Sequence, residues 1–201
     1  MFGKDFKYKI WDGLIQPNFL YELDMFTQSH NFNWHLTNRA NVVKWKKFPE
    51  SEEGTHLFWG SRLFSKEEDQ QTVSVIPDSI FDLQNWFMDV YLSQFLENKW
   101  YFDIDYVGMN GQSLGMDGTA HKDGPTDKHV TLMYFVNHKW EENWGGPFQL
   151  MNENNTVMDQ IDFTPGRFVF FKSNIPHRGL APLEPMIVRK SLVWRGKLIE
   201  K

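Results

Sequence analysis

The sequence predicts a mainly β fold with supporting helices, in the form of an antiparallel barrel or jelly roll. Several runs after Trp100 are rich in β-branched and aromatic residues and are separated by Gly, Pro and Asn turns. Aromatic residues make up 16% of the chain, which favours a sheet with a lined interior over a helical bundle. The 201 residues suit a single domain. We expect residues 101–201 to form its core and residues 1–100 a helical and strand support.

The support segment contains a predicted strand and two predicted helices, with further short strands and the charged insert PESEEG predicted between the helices. Residues 8–15 read as a short strand, and residues 16–28 as a helix with Pro17 in its first turn. The clearest helix covers residues 78–99, where Asp78 is placed to cap the first turn. Apolar residues recur in that helix at helical spacing: Ile80, Leu83, Phe87, Val90 and either Leu92 or Phe95.

The composition excludes several kinds of site and partner. The chain has no cysteine, so disulfides, zinc ribbons and thiol catalysis are excluded, and a metal site must use His, Asp and Glu. The net charge of −5 argues against nucleic acid as a partner. The sequence shows neither a signal peptide nor 18 consecutive apolar residues, so we expect a cytoplasmic protein with no membrane partner.

The segment GTAHKDG places a histidine and a carboxylate two residues apart, between Gly118 and Gly124. Residues two apart on a strand point the same way, so His121 and Asp123 are expected to project together. These are two of the three ligands of the facial triad that suits non-haem Fe(II). The flanking glycines allow a ligand to approach closely. The spacing alone is weak evidence, because such pairs also arise by chance.

A third ligand and a buried cation are expected further along the chain. His177 follows a strongly apolar strand, 54 residues beyond Asp123. Twelve residues later, Arg189 begins a strand on which Ser191 and Arg195 share its face. An arginine that faces an enclosed interior must pair with an anion, and its planar fork matches a carboxylate. Arg178 and Arg195 are the rivals for this role.

Five segments together are similar to a known enzyme family: NGQSLGMDGTAHKD, HVTLMYFVNHKW, NWGGPFQL, TPGRFVFFKSNIPHRG and VRKSLVW. They resemble the Fe(II)/2-oxoglutarate-dependent dioxygenases, and within them the prolyl 4-hydroxylase-like branch. The small members encoded by marine phages and bacteria are the most similar. The resemblance covers about residues 100–196, and the order of its segments makes it specific.

The resemblance implies a double-stranded β-helix (jelly roll) in which His121, Asp123 and His177 hold Fe(II) and are the catalytic residues. It implies that 2-oxoglutarate is the cosubstrate and that Arg189 pairs with its 5-carboxylate. The reaction consumes O2 and yields succinate and CO2 while an aliphatic C–H is hydroxylated, with ascorbate as a supporting reductant.

Further residues are expected around the cosubstrate. In oxygen-sensing prolyl hydroxylases, the position that matches Phe135 is often a tyrosine that bonds the 5-carboxylate. Phe135 has no hydroxyl, so the resemblance implies a helper hydroxyl from Tyr106, Thr131 or Ser191. Asn110 either reaches the cosubstrate or holds a turn.

Three apolar residues are expected to line the pocket beside the iron: Met133, Phe135 and Phe148. Strand parity places Met133 and Phe135 on the same face as Thr131. Phe148 is assigned by its position after the WGG segment in the family.

Three functions remain open at this point. The leading one is hydroxylation of a peptidyl-proline, or of a free amino acid. The second is oxidative dealkylation of a nucleobase, which needs a basic, aromatic-lined groove and a pocket for a flipped base. The third is a catalytically inactive jelly-roll binding module, because a fold alone does not determine function.

Overall fold

A computed structural model of the chain describes residues 6–38, 57–66 and 76–201. The charged segment PESEEG, whose composition predicts a solvated loop, lies outside them. Within the described ranges the strands are β1 Tyr8–Trp11, β2 His35–Asn38, β3 Leu57–Ser65, β4 Trp100–Gln112, β5 His129–Phe135, β6 Phe148–Met151, β7 Val157–Ile161, β8 Phe168–Lys172, β9 His177–Gly179 and β10 Arg189–Glu200. The main helices are α1 Pro17–Gln28 and α2 Asp78–Phe87. No helix in these ranges is long and apolar enough to cross a membrane.

The strands form two antiparallel sheets, as the sequence predicts. The larger sheet has the order β1-β8-β5-β10-β4-β3-β2, and the smaller has the order β7-β6-β9. Apolar side chains from both sheets meet in one core cluster, in which Met133 and Val169 of the larger sheet join Phe148 and Leu150 of the smaller. This packing of two antiparallel sheets confirms the predicted jelly roll.

The other face of the larger sheet is covered by helices. Leu132 and Trp194 from the sheet share a second core cluster with Leu20 of α1 and with Ile80 and Phe87 of α2. The larger sheet is therefore buried on both faces, which explains its continuous apolar runs. Because its helix-covered face is packed, the larger sheet can carry polar residues on its other face, which borders the cavity.

The second helix differs from its prediction in two ways. Asp78 is the first helical residue and Pro77 precedes it as the cap, so Asp78 does not cap the helix. After Phe87 the chain passes into a π-helical turn, Met88–Leu92. A π-turn changes the angular position of the residues that follow, which explains why Val90 is 40% exposed while Leu92 is buried.

Strand β10 is central in the larger sheet, and its register places the residues of the cavity. It pairs with β4 on one side, where Arg189 lies opposite Gln112 and Arg195 lies opposite Tyr106. On the other side it pairs with β5, where Arg195 lies opposite Thr131. Cavity-facing side chains of three adjacent strands are thereby brought into rows.

Lys190, on the helix-covered face of β10, ends in a buried polar cluster. Its ammonium donates to the carboxylate of Asp24 in α1 and to the hydroxyl of Thr27. The backbone N–H of His138 also donates to Asp24, at 2.9 Å. Burial raises the pKa of Asp24, but the Lys190 ammonium and the His138 hydrogen bonds outweigh it and hold that pKa below its ordinary value. The cluster fastens α1 to the sheet.

We expect Asp24→Leu to lower the free energy of unfolding by about 3–5 kcal/mol, because it leaves the Lys190 ammonium buried without a counter-ion. The double variant Asp24→Leu/Lys190→Met should recover most of that loss, since an apolar pair needs no compensation. Urea unfolding followed by circular dichroism measures both. A single variant as stable as the unmodified protein would contradict this account of the cluster.

Candidate active site

A direct backbone contact holds His121 beside His177. The N–H of His121 donates to the carbonyl of His177 at 3.0 Å, and the N–H of His177 donates to the carbonyl of His121 at 2.9 Å. The two residues form an isolated antiparallel bridge, so the segment of His121 and Asp123 is not the regular strand that the sequence predicts. The side chains nevertheless come together, because the bridge and the N–H of Asp123, which donates to the carbonyl of Ser173, fix the backbone.

Both histidines are oriented by their own chain. Nδ1 of His121 lies 2.8 Å from the carbonyl oxygen of Thr119, and Nδ1 of His177 lies 2.8 Å from that of Ile175. A carbonyl only accepts, so each Nδ1 carries a proton and each Nε2 is the ring nitrogen that faces Asp123. Both rings thus present Nε2 as a metal ligand, while the hydrogen bond at Nδ1 fixes the orientation of the ring, as is usual for metal-binding histidines.

Asp123 is held by partners on both carboxylate oxygens. Oδ2 accepts a hydrogen bond from the hydroxyl of Thr131 at 2.9 Å, and Oδ1 accepts one from Nη1 of Arg195 at 3.3 Å. Burial raises the pKa of Asp123, but the nearby His177 and Arg195 outweigh it and hold that pKa well below its usual range. The carboxylate is therefore ionised and orientated.

These three side chains have the geometry of a metal site. Nε2 of His121 lies 3.6 Å from Oδ1 of Asp123, and Nε2 of His177 lies 3.3 Å from Oδ2. One ligand atom from each residue can be chosen so that all lie within 4.8 Å of one another. Two imidazoles and one carboxylate on one side of a site form the facial set that suits Fe(II) and leaves positions open. The donor set fits that metal.

The flanking glycines permit this close packing. A Cβ added at Gly118 would lie 2.4 Å from the carbonyl oxygen of Gly179, and one added at Gly124 would lie 2.4 Å from Cβ of His129. Side chains at either position would push the His121–Asp123 segment away from its neighbours. The two glycines thus allow neighbouring protein segments to pack closely. The sequence-based prediction was that they allow a ligand to approach.

Arg189 is a buried cation without an anion among the described residues. It is 2% exposed; Nε donates to the carbonyl of Gly146 at 2.8 Å and Nη1 to Oε1 of Gln112 at 3.0 Å. Its Nη2 is buried and has no hydrogen-bond partner. Burial lowers the pKa of the Arg189 guanidinium to about 9. A carboxylate facing Nη2 would supply both the missing acceptor and the missing charge, so the site fits the 5-carboxylate of 2-oxoglutarate.

Phe135 has a different place from the expected one. It is fully buried and stacks on Phe163 at 4.4 Å between centroids, and the Arg189 guanidinium carbon lies 5.2 Å from its ring. Phe135 therefore supports the guanidinium from behind and is not among the cavity-lining residues. Parity on β5 placed it on the correct face, but its position one row beyond Met133 removes it from the cavity wall.

The triad and Arg189 line one cavity of about 1000 Å³. Five other residues predicted for the site also line it: Tyr106, Asn110, Ser191, Met133 and Phe148. Thr131 lines it too, but its hydroxyl contacts Asp123 and the hydroxyl of Ser173 instead of facing a cosubstrate beside Arg189. Thr131 thus orients a candidate iron ligand.

Sequence reasoning missed two residues of this site, Gln112 and Ser173, and one contact, that of Arg195 with Asp123. Gln112 orients Arg189 and also donates to the carbonyls of Met116 and Gly179. It continues the alternation of Tyr106 and Asn110 along β4, so period two predicts its face. Ser173 and the contact of Arg195 with Asp123 have no such signal, because they depend on how distant segments pack.

The comparison with protein families agrees with this geometry. Residues 106–194 match the model of the 2OG-Fe(II) oxygenase superfamily. The chain carries a 2OG-Fe(II) oxygenase domain. The family uses Fe(II) and 2-oxoglutarate, and the matched range contains the triad and Arg189. No curated protein sequence matches the chain.

Solved structures similar to this oxygenase share its fold. One is a prolyl hydroxylase from Trichoplax adhaerens in complex with a hypoxia inducible factor peptide fragment, with TM-score 0.62, 15% identity and coverage of 96% of this chain and 84% of that one. Another is a Pseudomonas putida prolyl-4-hydroxylase, with TM-score 0.61, 15% identity and coverage of 96% and 94%. A third is the epimerase SnoN from nogalamycin biosynthesis, with TM-score 0.64, 9% identity and coverage of 95% and 79%. At these identities the similarity concerns the fold.

For the metal, we expect Asp123→Ala and His177→Ala to weaken Mn(II) binding by the oxygenase about tenfold or more, since each removes a ligand atom. Electron paramagnetic resonance of free Mn(II) measures this. His30→Ala removes an exposed histidine outside the triad and is the matched control. Equal loss in the control, or no loss in the two ligand variants, would disprove the assignment.

For the cosubstrate, we expect Arg189→Ala to raise the 2-oxoglutarate concentration at half-saturation about tenfold or more, because a desolvated Arg–carboxylate pair is worth about 2–5 kcal/mol. Mn(II) affinity should change little, since Arg189 contacts no triad residue in the described structure. Isothermal titration of the Mn(II)-loaded protein measures the effect. Arg178→Ala is the control, because the Arg178 side chain donates to Gln149 away from the cavity. If Arg195→Ala had this effect and Arg189→Ala did not, the assignment would be wrong.

Proposed function

We propose that this oxygenase hydroxylates an aliphatic C–H of a peptidyl-proline or of a free amino acid, and that His121, Asp123 and His177 hold its Fe(II). The observation that carries the proposal is the shared cavity, in which three ligand atoms face open space and a buried guanidinium lacks an anion. A metal and a dicarboxylate together satisfy both needs.

The residues of the chain divide the work between binding and orientation. Fe(II) and 2-oxoglutarate supply the oxidising chemistry when bound, with O2 consumed and succinate and CO2 released. The Nδ1–H groups of His121 and His177 fix both rings, and Thr131 and Arg195 hold the carboxylate of Asp123. Arg189 anchors the far carboxylate of the cosubstrate, and Gln112 fixes the guanidinium in turn. Met133 and Phe148 supply apolar wall beside the triad and help to exclude water.

An inactive binding module is the weaker proposal. A module without chemistry gains nothing from a buried carboxylate that faces two imidazole rings, nor from an uncompensated buried cation. The buried cation costs folding free energy, and a carboxylate of the cosubstrate would compensate it.

The reaction is tested on protein loaded with Fe(II) and 2-oxoglutarate without oxygen, then exposed to O2 with pools of proline-containing peptides and free amino acids. We expect succinate together with a product heavier by one oxygen atom, measured by mass spectrometry, and neither product from Asp123→Ala. Wild-type turnover that persists after exhaustive metal chelation would contradict the proposal. A product of unchanged mass would point to a different reaction on the same fold.

A further inference from the structure

Arg195 lies beside the candidate iron ligands with donors to spare. Its Nη1 donates to Oδ1 of Asp123, and its guanidinium carbon lies 3.9 Å from the ring centroid of Tyr106. Gly108 leaves space for that ring, since a Cβ there would lie 2.2 Å from the Tyr106 hydroxyl. Stacking on the ring fixes the plane of the guanidinium.

The remaining N–H groups of Arg195 have no acceptor among the described residues. The hydrogen bond to Asp123 accounts for one of five donors on the guanidinium. The side chain is 28% exposed and lines the cavity, so these donors reach the space in which a substrate binds. Orienting Asp123 requires one donor, whereas the planar fork can also bind a second anion.

The charges of the cavity favour an anionic occupant. The described lining residues include the guanidinium groups of Arg62, Arg189 and Arg195 and the single carboxylate of Asp123, which leaves an excess of two positive charges. Fe(II) and the 2-oxoglutarate dianion cancel each other, so the excess remains after both bind.

We propose that Arg195 binds a carboxylate of the substrate, which makes the substrate a small organic acid such as a free amino acid, oxidised a few bonds from that carboxylate. The short distance follows from Arg195 itself: an anion on its guanidinium lies next to Asp123, and the oxidised carbon must lie next to the metal that Asp123 holds. This inference rests on the proposed function and narrows its substrate class.

A proline inside a peptide fits this subsite less well, because its neighbouring groups are neutral amides and offer the remaining Arg195 donors no anionic acceptor. A nucleic acid also fits less well. When a flipped base enters the site, its phosphates stay outside, away from the reacting atom, whereas Arg195 lies beside the candidate iron ligand Asp123.

The test compares acids with their neutral analogues. Protein loaded with Mn(II) and 2-oxoglutarate is titrated calorimetrically with the free L-amino acids, with their primary amides, with a proline peptide blocked at both ends and with a single-stranded oligonucleotide. We expect at least one acid to bind about tenfold or more tightly than its amide. The proposal is overturned if every acid that binds is matched by its amide, if no acid binds, or if the oligonucleotide binds best.

Two variants separate anion binding from the positioning of Asp123. Arg195→Met should reduce the acid-to-amide ratio to about one, whereas a purely positioning role would weaken acid and amide equally and keep the ratio. Arg178→Gln is the matched control: it removes a cation whose side chain donates to Gln149 away from the cavity, and it should leave the ratio within about threefold of the wild-type value. A ratio that survives Arg195→Met overturns the proposal.

The proposed function can fail separately. O2-dependent succinate formation with the blocked peptide, without an acid preference, leaves the hydroxylase proposal standing and removes this inference. Absence of succinate with every member of the panel removes both.

Discussion

The register of β10 is the constraint on which the rest of this structure depends. Its alternate side chains serve two different environments: Arg189, Ser191 and Arg195 face the cavity, while Leu192 and Trp194 join the helix-covered core. A shift of one residue would put guanidinium groups into the apolar core and indole into the cavity. Hydrogen bonding to β4 on one side and β5 on the other makes that shift costly. The active site and the core are thus specified by the same pairing.

Neighbouring residues on β10 show two ways of accommodating a buried cation. Lys190 points toward α1 and has an internal counter-ion, Asp24, so its charge is compensated when the chain folds. Arg189 points the other way and has neutral acceptors alone within the described residues. The first arrangement supports the fold, whereas the second leaves a buried charge that no described residue compensates. The contrast separates a structural charge from a functional one without reference to any relative.

Local sequence patterns predicted the faces of the long strands, and the features that they did not predict have physical causes. Alternation along β4, β5 and β10 correctly assigned faces, because period two is a property of the backbone. It did not predict how far along a face the cavity extends, so Phe135 was placed in the pocket although it lies behind Arg189. Helical periodicity wrongly predicted that Val90 is buried, because no sequence pattern indicated the π-turn. Strand β9 has three residues, too few for a pattern, and it exists because His177 pairs with Leu150 and bridges to His121.

If Arg189 holds the 5-carboxylate of 2-oxoglutarate, as proposed, binding of that cosubstrate also stabilises the folded chain. A ligand that binds only the folded chain stabilises it in proportion to the logarithm of its free concentration, by about 2.7 kcal/mol at a hundredfold excess over its dissociation constant. A carboxylate that pairs with the buried guanidinium of Arg189 relieves the cost of its unpaired charge, and this strengthens the binding of 2-oxoglutarate. When 2-oxoglutarate is scarce, more of the chain opens and is exposed to proteases. The abundance of the enzyme would then follow the supply of its own cosubstrate, with no dedicated regulatory site.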